Sequence, residues 1–312
     1  MISVNHLITR DLRVGDEDGE TTMKIGNLDM VNLYVGNDEA SKVYVGNNAI
    51  WEKPSSGYWG LCFTAEQANS TVALFKYGEP PAITLQTSTD GETWTPYTIG
   101  DTITLANVGD KVYFAAGSGG NATFSTFTTT YYGYAMTGSI SASGNIMSLL
   151  DKDNQLDTIP CDHCFYSLFK TCTTLTTAPE LPATTLTGYC YLSMFMSCIA
   201  LTTAPELPAT TLAPHCYNKM FRYCSALTTT PELIATTLDT QCYVGIFSGC
   251  TNLTSIRVRF TEWNPSDATK NWVQYAGTEA TGTKTFYCPS ALTETFGNNN
   301  IPTGWTVVRT DT

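Results

Sequence analysis

Cysteine is the residue type in this sequence with the widest range of chemistry, because a thiol can act as a nucleophile, a metal ligand or a disulfide partner. The chain has 312 residues and eleven cysteines. Eight of these form four pairs with a spacing of eight residues, and the pairs begin at Cys164, Cys190, Cys216 and Cys242, each 26 residues after the one before. Such regularity indicates a structural repeat rather than a single reactive centre.

The state of the eight repeat cysteines depends on local structure. Two cysteines eight residues apart on one helix would lie ~12 Å apart along its axis, whereas a disulfide needs Cα atoms within about 7 Å. Pairing inside a helical repeat is therefore excluded, and pairing between neighbouring repeats stays open. We favour reduced, buried thiols, because cysteine packs as a small apolar residue and reduced thiols fit assembly in a cytoplasm.

Cys161-Asp162-His163-Cys164 is the one short run with the residue types of a zinc site. Zinc sites usually draw on two separated pairs of cysteine or histidine ligands, and no second pair is evident in the sequence. Cys164 also fits the first apolar position of a repeat. We therefore predict no metal and no cofactor, and interpret the run as the turn that leads into the repeats.

Candidates for acid–base or nucleophilic catalysis are sparse. The three histidines, His6, His163 and His215, lie in different segments, and no Ser-His-Asp or Cys-His arrangement is visible. A glycan hydrolase would need two carboxylates flanking a pocket, and nothing in the sequence indicates such a pair. We predict that the protein is not an enzyme.

One acidic position recurs with the repeat, at Glu180, Glu206 and Glu232. Stacked repeats would place these carboxylates in a row, which could bind a cation or the basic groups of a partner. A solvated edge is the commoner meaning of such a row. The three glutamates are the candidate binding residues. Exposed aromatic residues, such as those of the run 131–134, are a second candidate platform, although most aromatic side chains are expected in the core.

The elements that position these residues follow from the repeat itself. Apolar residues at i, i+1, i+4, i+5, i+8 and i+11 predict one face of a short helix, and the Thr-Thr-Ala-Pro-Glu-Leu-Pro stretch is extended because of its two prolines. One such unit cannot bury its apolar face alone, so stacking into a solenoid over residues 138–258 is predicted. The predicted core positions are Cys164, Phe169, Cys172, Cys190, Phe195, Cys198, Cys216, Phe221, Cys224, Cys242, Phe247 and Cys250.

Three further segments flank the repeats. In residues 1–54, an apolar residue followed by Gly-Asn recurs every ten residues, which predicts short strands and tight turns with too little core to stand alone. Residues 55–137 alternate short apolar strands with turn signals and predict a small immunoglobulin-like β-sandwich. Residues 259–312 are expected to form a C-terminal cap. The predicted fold class is therefore mainly β with an α/β solenoid.

Composition limits the partners. The net charge is −12, and without a cluster of Lys and Arg the chain lacks the usual basis of nucleic-acid binding. No apolar run approaches the ~20 residues that span a bilayer, so no membrane insertion is expected. The first ten residues lack the features of a signal peptide, and we expect no secretion by the usual route.

The repeats resemble the BspA-like leucine-rich repeats of gut Bacteroidetes and their phages. The module Met-Phe-x-x-Cys-x-x-Leu-Thr-Thr-Ala-Pro-Glu-Leu-Pro-Ala-Thr-Thr-Leu carries the resemblance, which covers roughly residues 60–310. Residues 1–54 resemble the attachment segments of phage appendage proteins. The resemblance implies a surface display or adhesion role without enzymatic activity.

Two functions follow as hypotheses. The first is a structural protein of a bacteriophage virion, a fibre or other appendage assembled in the host cytoplasm. It would contact other virion proteins through residues 1–54, form a homo-oligomer with a trimer favoured, and bind a host surface protein or glycan. The alternative is a bacterial cell-surface adhesin of the same repeat family, which would need an export signal or a lipid anchor.

Overall fold

The structure is a computed structural model, and the chain divides into two compact units, Met1–Trp59 and Gly60–Thr312. In the first unit, the structure describes the backbone of six strands and the last residue, Trp59. In the second, it describes residues 60–263 and 265–310. Each unit is considered by itself.

The first unit contains three antiparallel strand pairs. They are β1 (Asp11–Asp16) with β2 (Gly19–Lys24), β3 (Tyr34–Val35) with β4 (Asp38–Glu39), and β5 (Lys42–Val45) with β6 (Asn48–Glu52). Val35 pairs with Asp38 and Val45 pairs with Asn48, so these strands flank two of the Gly-Asn dipeptides. All three Gly-Asn dipeptides, and with them the predicted turns, lie outside the described residues.

Two sheets begin the second unit. Their strands are β7 (Cys62–Ala65), β8 (Ser70–Tyr77), β9 (Leu85–Ser88), β10 (Thr95–Tyr97), β11 (Thr102–Leu105), β12 (Lys111–Ala116), β13 (Tyr131–Thr137), β14 (Ile140–Ser143) and β15 (Leu175–Thr177). The strand orders are β10-β9-β12-β7-β14-β15 and β11-β8-β13. All pairings are antiparallel except that of β14 with β15. The sheets pack through the rings of Phe63 and Phe114 in one sheet and Tyr134 in the other, with centroids 5.0–5.4 Å apart.

A short 3₁₀ turn at Ile146–Leu149 follows β14. The described residues are mainly β, and their helical structure is confined to this turn and to a second one at Pro265–Asp267. The mainly β class is confirmed, whereas the helix predicted in each repeat is wrong.

Each repeat contains a run of turns where the helix was predicted. In the first repeat, every fourth residue has a positive φ, with 59° at His163, 54° at Ser167 and 63° at Thr171. Within the run, the Cys172 N–H donates to the Phe169 carbonyl at 3.0 Å. The predicted apolar positions i, i+1, i+4, i+5 and i+8 have a period of four, which a run of four-residue turns satisfies without drift. A helix, with 3.6 residues per turn, satisfies it only approximately.

Other backbone N–H groups of the run donate hydrogen bonds to carbonyl groups of the next repeat. The N–H groups of Phe165 and Tyr191 donate to the carbonyls of Cys190 and Cys216 at 2.9 and 3.0 Å. Successive runs are therefore stacked by backbone hydrogen bonds between residues about one repeat apart. A buried peptide group needs such a partner, and a helix would have used these donors internally.

The same pattern continues beyond the last cysteine pair. The Tyr243 N–H donates to the Ala268 carbonyl at 3.0 Å, and the positive φ values recur at Asn271 and Tyr275. The buried positions repeat the spacing of the earlier runs, at Ala268, Thr269, Trp272, Val273 and Ala276. A fifth run thus lies inside the segment that was predicted to be a cap.

The proline-containing stretches of the repeats are extended where they are paired. Thr177 forms a parallel bridge with Thr203, and Thr229 forms one with Ser255. At the C-terminal end, β16 (Ser255–Arg257), β17 (Thr285–Cys288) and β18 (Thr306–Arg309) form a parallel sheet.

Candidate functional site

The structure places all twelve predicted core residues in the interior. The four phenylalanines and eight cysteines are each at most 1% exposed, and all eleven cysteines of the chain are free thiols. The eight repeat cysteines, whose thiols are potentially reactive, are therefore packed among other side chains in the core.

The second cysteine of each repeat has a specific polar contact. The thiols of Cys198, Cys224 and Cys250 donate to the carbonyls of Phe169, Phe195 and Phe221 at 3.0–3.1 Å. Each of these carbonyls belongs to the preceding repeat. Burial raises the pKa of the Cys224 thiol to about 12, so the thiol stays protonated and remains a donor at neutral pH.

Two columns of aromatic rings pass through the repeats beside the cysteines. One contains Phe169, Phe195, Phe221 and Phe247, stacked within 7° of parallel at 5.3–5.9 Å. The other contains Phe165, Tyr191, Tyr217 and Tyr243, stacked within 12° of parallel at 5.9–6.0 Å. The columns explain why the repeat keeps an aromatic residue at two fixed positions.

The three glutamates predicted as binding residues differ in their surroundings. Glu180 and Glu206 are exposed, and the Glu232 carboxylate forms an ion pair with Arg259. Within residues 60–263 and 265–310, no three side chains of His, Cys, Asp or Glu are grouped as metal ligands would be. The Cys161–Cys164 run accordingly lacks further ligands of that kind in this part of the chain.

The histidines serve in ring stacks. His163 lies 4.5 Å from Tyr189, and Tyr189 lies 4.2 Å from His215, with the rings within 9° of parallel. Burial lowers the pKa of both histidines, which favours neutral rings at pH 7. His6 lies outside the described residues.

These stacked rings belong to a partly exposed aromatic band. The band comprises Tyr77, Tyr131, Tyr166, His163, Tyr189 and His215, each within 6.2 Å of the next. It begins on the β8–β13 sheet, where Tyr77 and Tyr131 are cross-strand partners stacked at 4.7 Å, and continues over three repeats. Of its residues, the sequence had pointed to Tyr131 as a possible platform and to the two histidines only as candidates for catalysis.

A pocket of about 240 Å³ opens at the sheet end of the band. It is lined by Tyr77, Tyr131, Gly133, Tyr134, Ser167, Lys170 and Thr171, and we call it the tyrosine pocket. Tyr77 is 46% exposed, so one edge of the pocket is an accessible aromatic ring. Sequence reasoning missed Tyr77, Ser167 and Lys170, because strand pairing and turn stacking bring them together from distant positions.

The polar groups of the tyrosine pocket are only partly satisfied. The Ser167 side chain is 1% exposed, and its hydroxyl has no hydrogen-bond partner among the residues that the structure describes. The Thr171 hydroxyl donates to the Lys170 carbonyl at 2.6 Å and retains its acceptor capacity. Lys170 supplies the one cationic side chain of the lining. Because the Ser167 hydroxyl oxygen is itself buried, Lys170 and the exposed Thr171 are the polar side chains that the lining offers beside its tyrosines.

Gly133 makes room for the pocket beside the rings of Tyr77 and Tyr131. A Cβ at this position would lie 3.2 Å from the Tyr77 ring and 3.7 Å from the Ser167 carbonyl oxygen. The arrangement as a whole joins aromatic faces, hydroxyls and one ammonium group in a small cavity. Such a set can stack against a sugar ring and hydrogen-bond its hydroxyls.

No family model, curated protein or solved structure matches the chain. In the residues that the structure describes, no helix is long and apolar enough to cross a bilayer.

Proposed function

We propose that the chain is a non-enzymatic display protein of a bacteriophage virion, a fibre or other appendage, and that it binds a host glycan through the tyrosine pocket. In this proposal the stacked runs form a solenoid of the leucine-rich-repeat type, joined to an immunoglobulin-like sandwich. The repeat resemblance supports the display role. The observation that carries the binding role is the tyrosine pocket at the end of the aromatic band.

A saccharide is the ligand class that fits this pocket best. Aromatic rings pack on the apolar faces of sugar rings, and hydroxyl and ammonium groups bond the sugar's hydroxyls. Tyr77 would provide the stacking face, Lys170 would provide a hydrogen-bond donor, and the hydroxyl of the exposed Thr171 would provide an acceptor. Because Lys170 is a cation, we expect pyranoses that carry a carboxylate to bind better than neutral ones.

The virion assignment includes a role for the first unit. Residues 1–54 would attach the chain to other virion proteins and assemble a homo-oligomer, with a trimer favoured. Mass spectrometry of purified phage particles should detect the chain, and cryo-EM of the particle should locate it. Absence from the particles, together with recovery from the outer surface of bacterial cells, would instead favour a bacterial cell-surface adhesin.

A glycan array tests the binding role. The labelled full chain should bind a subset of saccharides, and Gly133→Ala should weaken that binding at least tenfold by placing a methyl group against Tyr77. Tyr275→Ala, which removes an exposed tyrosine outside the pocket, is the matched control and should bind as the unaltered chain does. Binding of no saccharide, or equal binding by folded Gly133→Ala, would refute the assignment of this pocket.

A further inference from the structure

Cys161 differs from the cysteines of the repeats. It is partly exposed and lies three residues before Cys164, which is fully buried. The equivalent positions of the next three repeats hold Thr187, Ala213 and Asp239. Of the four repeats, the first is therefore the one with a Cys-x-x-Cys arrangement. One of its two thiols lies near solvent and the other lies in the core.

The backbone holds the two cysteines in a tight turn. His163 has a φ of 59°, as the third residue of a type II turn does. In a later repeat the equivalent turn is closed by a hydrogen bond of 3.2 Å from the Cys216 N–H to the Ala213 carbonyl. The first and fourth Cα atoms of a β-turn lie within about 7 Å of each other, and disulfides join Cα atoms separated by about 4.4–6.8 Å.

Ser125, a fully buried residue of the segment before β13, contacts both cysteines. Its N–H donates to the Cys164 carbonyl at 3.1 Å, and its carbonyl accepts the Cys161 thiol at 3.6 Å. The Thr187 hydroxyl donates to the Cys161 carbonyl at 2.7 Å. The pair is thus held in place by the segment between β12 and β13 on one side and by the second repeat on the other.

The pKa values of the two thiols are shifted in opposite directions. A hydrogen bond from Cys164 lowers the pKa of Cys161 to about 7, whereas burial raises the pKa of Cys164 well above its usual range. At neutral pH a substantial fraction of Cys161 is thiolate, the form that attacks disulfides. Cys164 stays protonated until a bond to its neighbour can form.

We propose that Cys161 and Cys164 are a redox-active pair that interconverts between a dithiol and an intramolecular disulfide, with Cys161 as the attacking thiol. This inference does not depend on the proposed function. The disulfide would close the turn at which the sheets meet the first repeat.

The oxidant is a low-molecular-weight disulfide such as glutathione disulfide. The Cys161 thiolate attacks one of its sulfurs, the disulfide bond of the oxidant breaks, and a glutathione thiolate leaves. That thiolate takes the Cys164 proton, and the Cys164 sulfur then attacks the Cys161 sulfur of the mixed disulfide. A second glutathione thiolate leaves and takes a proton from water. Two protein thiols are oxidised and one disulfide is reduced to two thiols.

Redox titration of the full chain tests this proposal. The chain is equilibrated in buffers with different ratios of glutathione to glutathione disulfide, quenched with acid, unfolded and alkylated, and its peptides are analysed by mass spectrometry. Cys161 and Cys164 should lose alkylation together, and their shared peptide should become lighter by two hydrogen atoms. The cysteines of the other three repeats should remain alkylated.

Three variants separate the steps. Cys164→Ser should trap a mixed disulfide between Cys161 and glutathione, Cys161→Ser should leave Cys164 reduced, and Cys62→Ser should oxidise as the unaltered chain does. Cys161→Ser alters only a partly exposed side chain, so it serves even if Cys164→Ser fails to fold. Full alkylation of both cysteines in the most oxidising buffer, or a disulfide that joins a different pair, would overturn the proposal.

Discussion

The ring of Tyr134 in strand β13 stacks on the ring of Phe169 in the first repeat, with centroids 5.2 Å apart and planes within 10° of parallel. The Tyr134 carbonyl also accepts a hydrogen bond from the Cys172 thiol at 3.2 Å. The carbonyls of the repeat phenylalanines accept the equivalent bonds from the later cysteines. Tyr134 therefore takes the position that a phenylalanine of a preceding repeat would have. The sheets cover the first end of the aromatic column and share one core with the repeats.

We expect Tyr134→Ala to destabilise the second unit by about 3–5 kcal/mol, because it removes a buried ring from this shared core. Tyr134→Phe should change stability little or increase it, since the Tyr134 hydroxyl is buried without a partner among the described residues and its removal ends that cost. Urea unfolding measures both changes, with exposed Tyr223→Ala as control. Two separate transitions, for the sheets and for the repeats, would contradict a shared core.

Cys198→Ala should destabilise the unit by about 1–2 kcal/mol. The substitution leaves a small cavity and removes the thiol donor to the Phe169 carbonyl. The neighbouring Ile199 is 49% exposed, and Ile199→Ala should change the free energy of unfolding by less than about 0.5 kcal/mol. Equal effects in chemical denaturation would argue against a structural role for the cysteine.

Stability should fall at alkaline pH under reducing conditions. Burial raises the pKa of Cys172, Cys190, Cys224 and Cys242 from 9.0 to about 12. Above pH 9 these thiols lose their protons in the unfolded chain but keep them in the folded chain. The contribution of burial to the free energy of unfolding is therefore fully present below pH 9 and is lost as the pH rises towards 12. Each such thiol contributes a slope of about 1.4 kcal/mol per pH unit.

Urea unfolding between pH 8 and 10 measures this slope. Cys224→Ala should reduce the slope of the free energy of unfolding against pH by the contribution of one thiol. Ile199→Ala should leave this slope unchanged. A free energy of unfolding that is constant over this interval would show that the thiols are not buried as described.

Sugar binding should depend on Tyr77 and Lys170 in different ways. Tyr77→Ala should weaken binding of all bound saccharides about tenfold or more by removing the stacking face. Lys170→Met should selectively weaken the binding of sugars that carry a carboxylate, and it should reduce the salt dependence of that binding. Isothermal titration calorimetry at two salt concentrations measures both effects, and Glu206→Gln, a change in the exposed row of glutamates, is the control. A Lys170→Met variant that discriminates between the sugars as before would contradict the role given to this cation.

Much of the repeat could be predicted because its signal is local and recurs. The 26-residue spacing of Cys164, Cys190, Cys216 and Cys242 identifies equivalent positions, and equivalent positions in stacked units share an environment. Cysteine and phenylalanine at those positions indicate burial, while the prolines exclude a helix in the stretch that follows.

Tertiary structure decided how each run is folded and where recognition is possible. Apolar residues at i, i+1, i+4, i+5 and i+8 suit a helix or a run of turns, and the choice depends on whether the Phe165 N–H finds its acceptor inside the repeat or in Cys190 of the next one. The tyrosine pocket likewise requires that strand pairing set Tyr77 beside Tyr131 and that the first run bring Lys170 to them. Contacts between residues so far apart in the chain arise only when the backbone has satisfied its hydrogen bonds across repeats and strands.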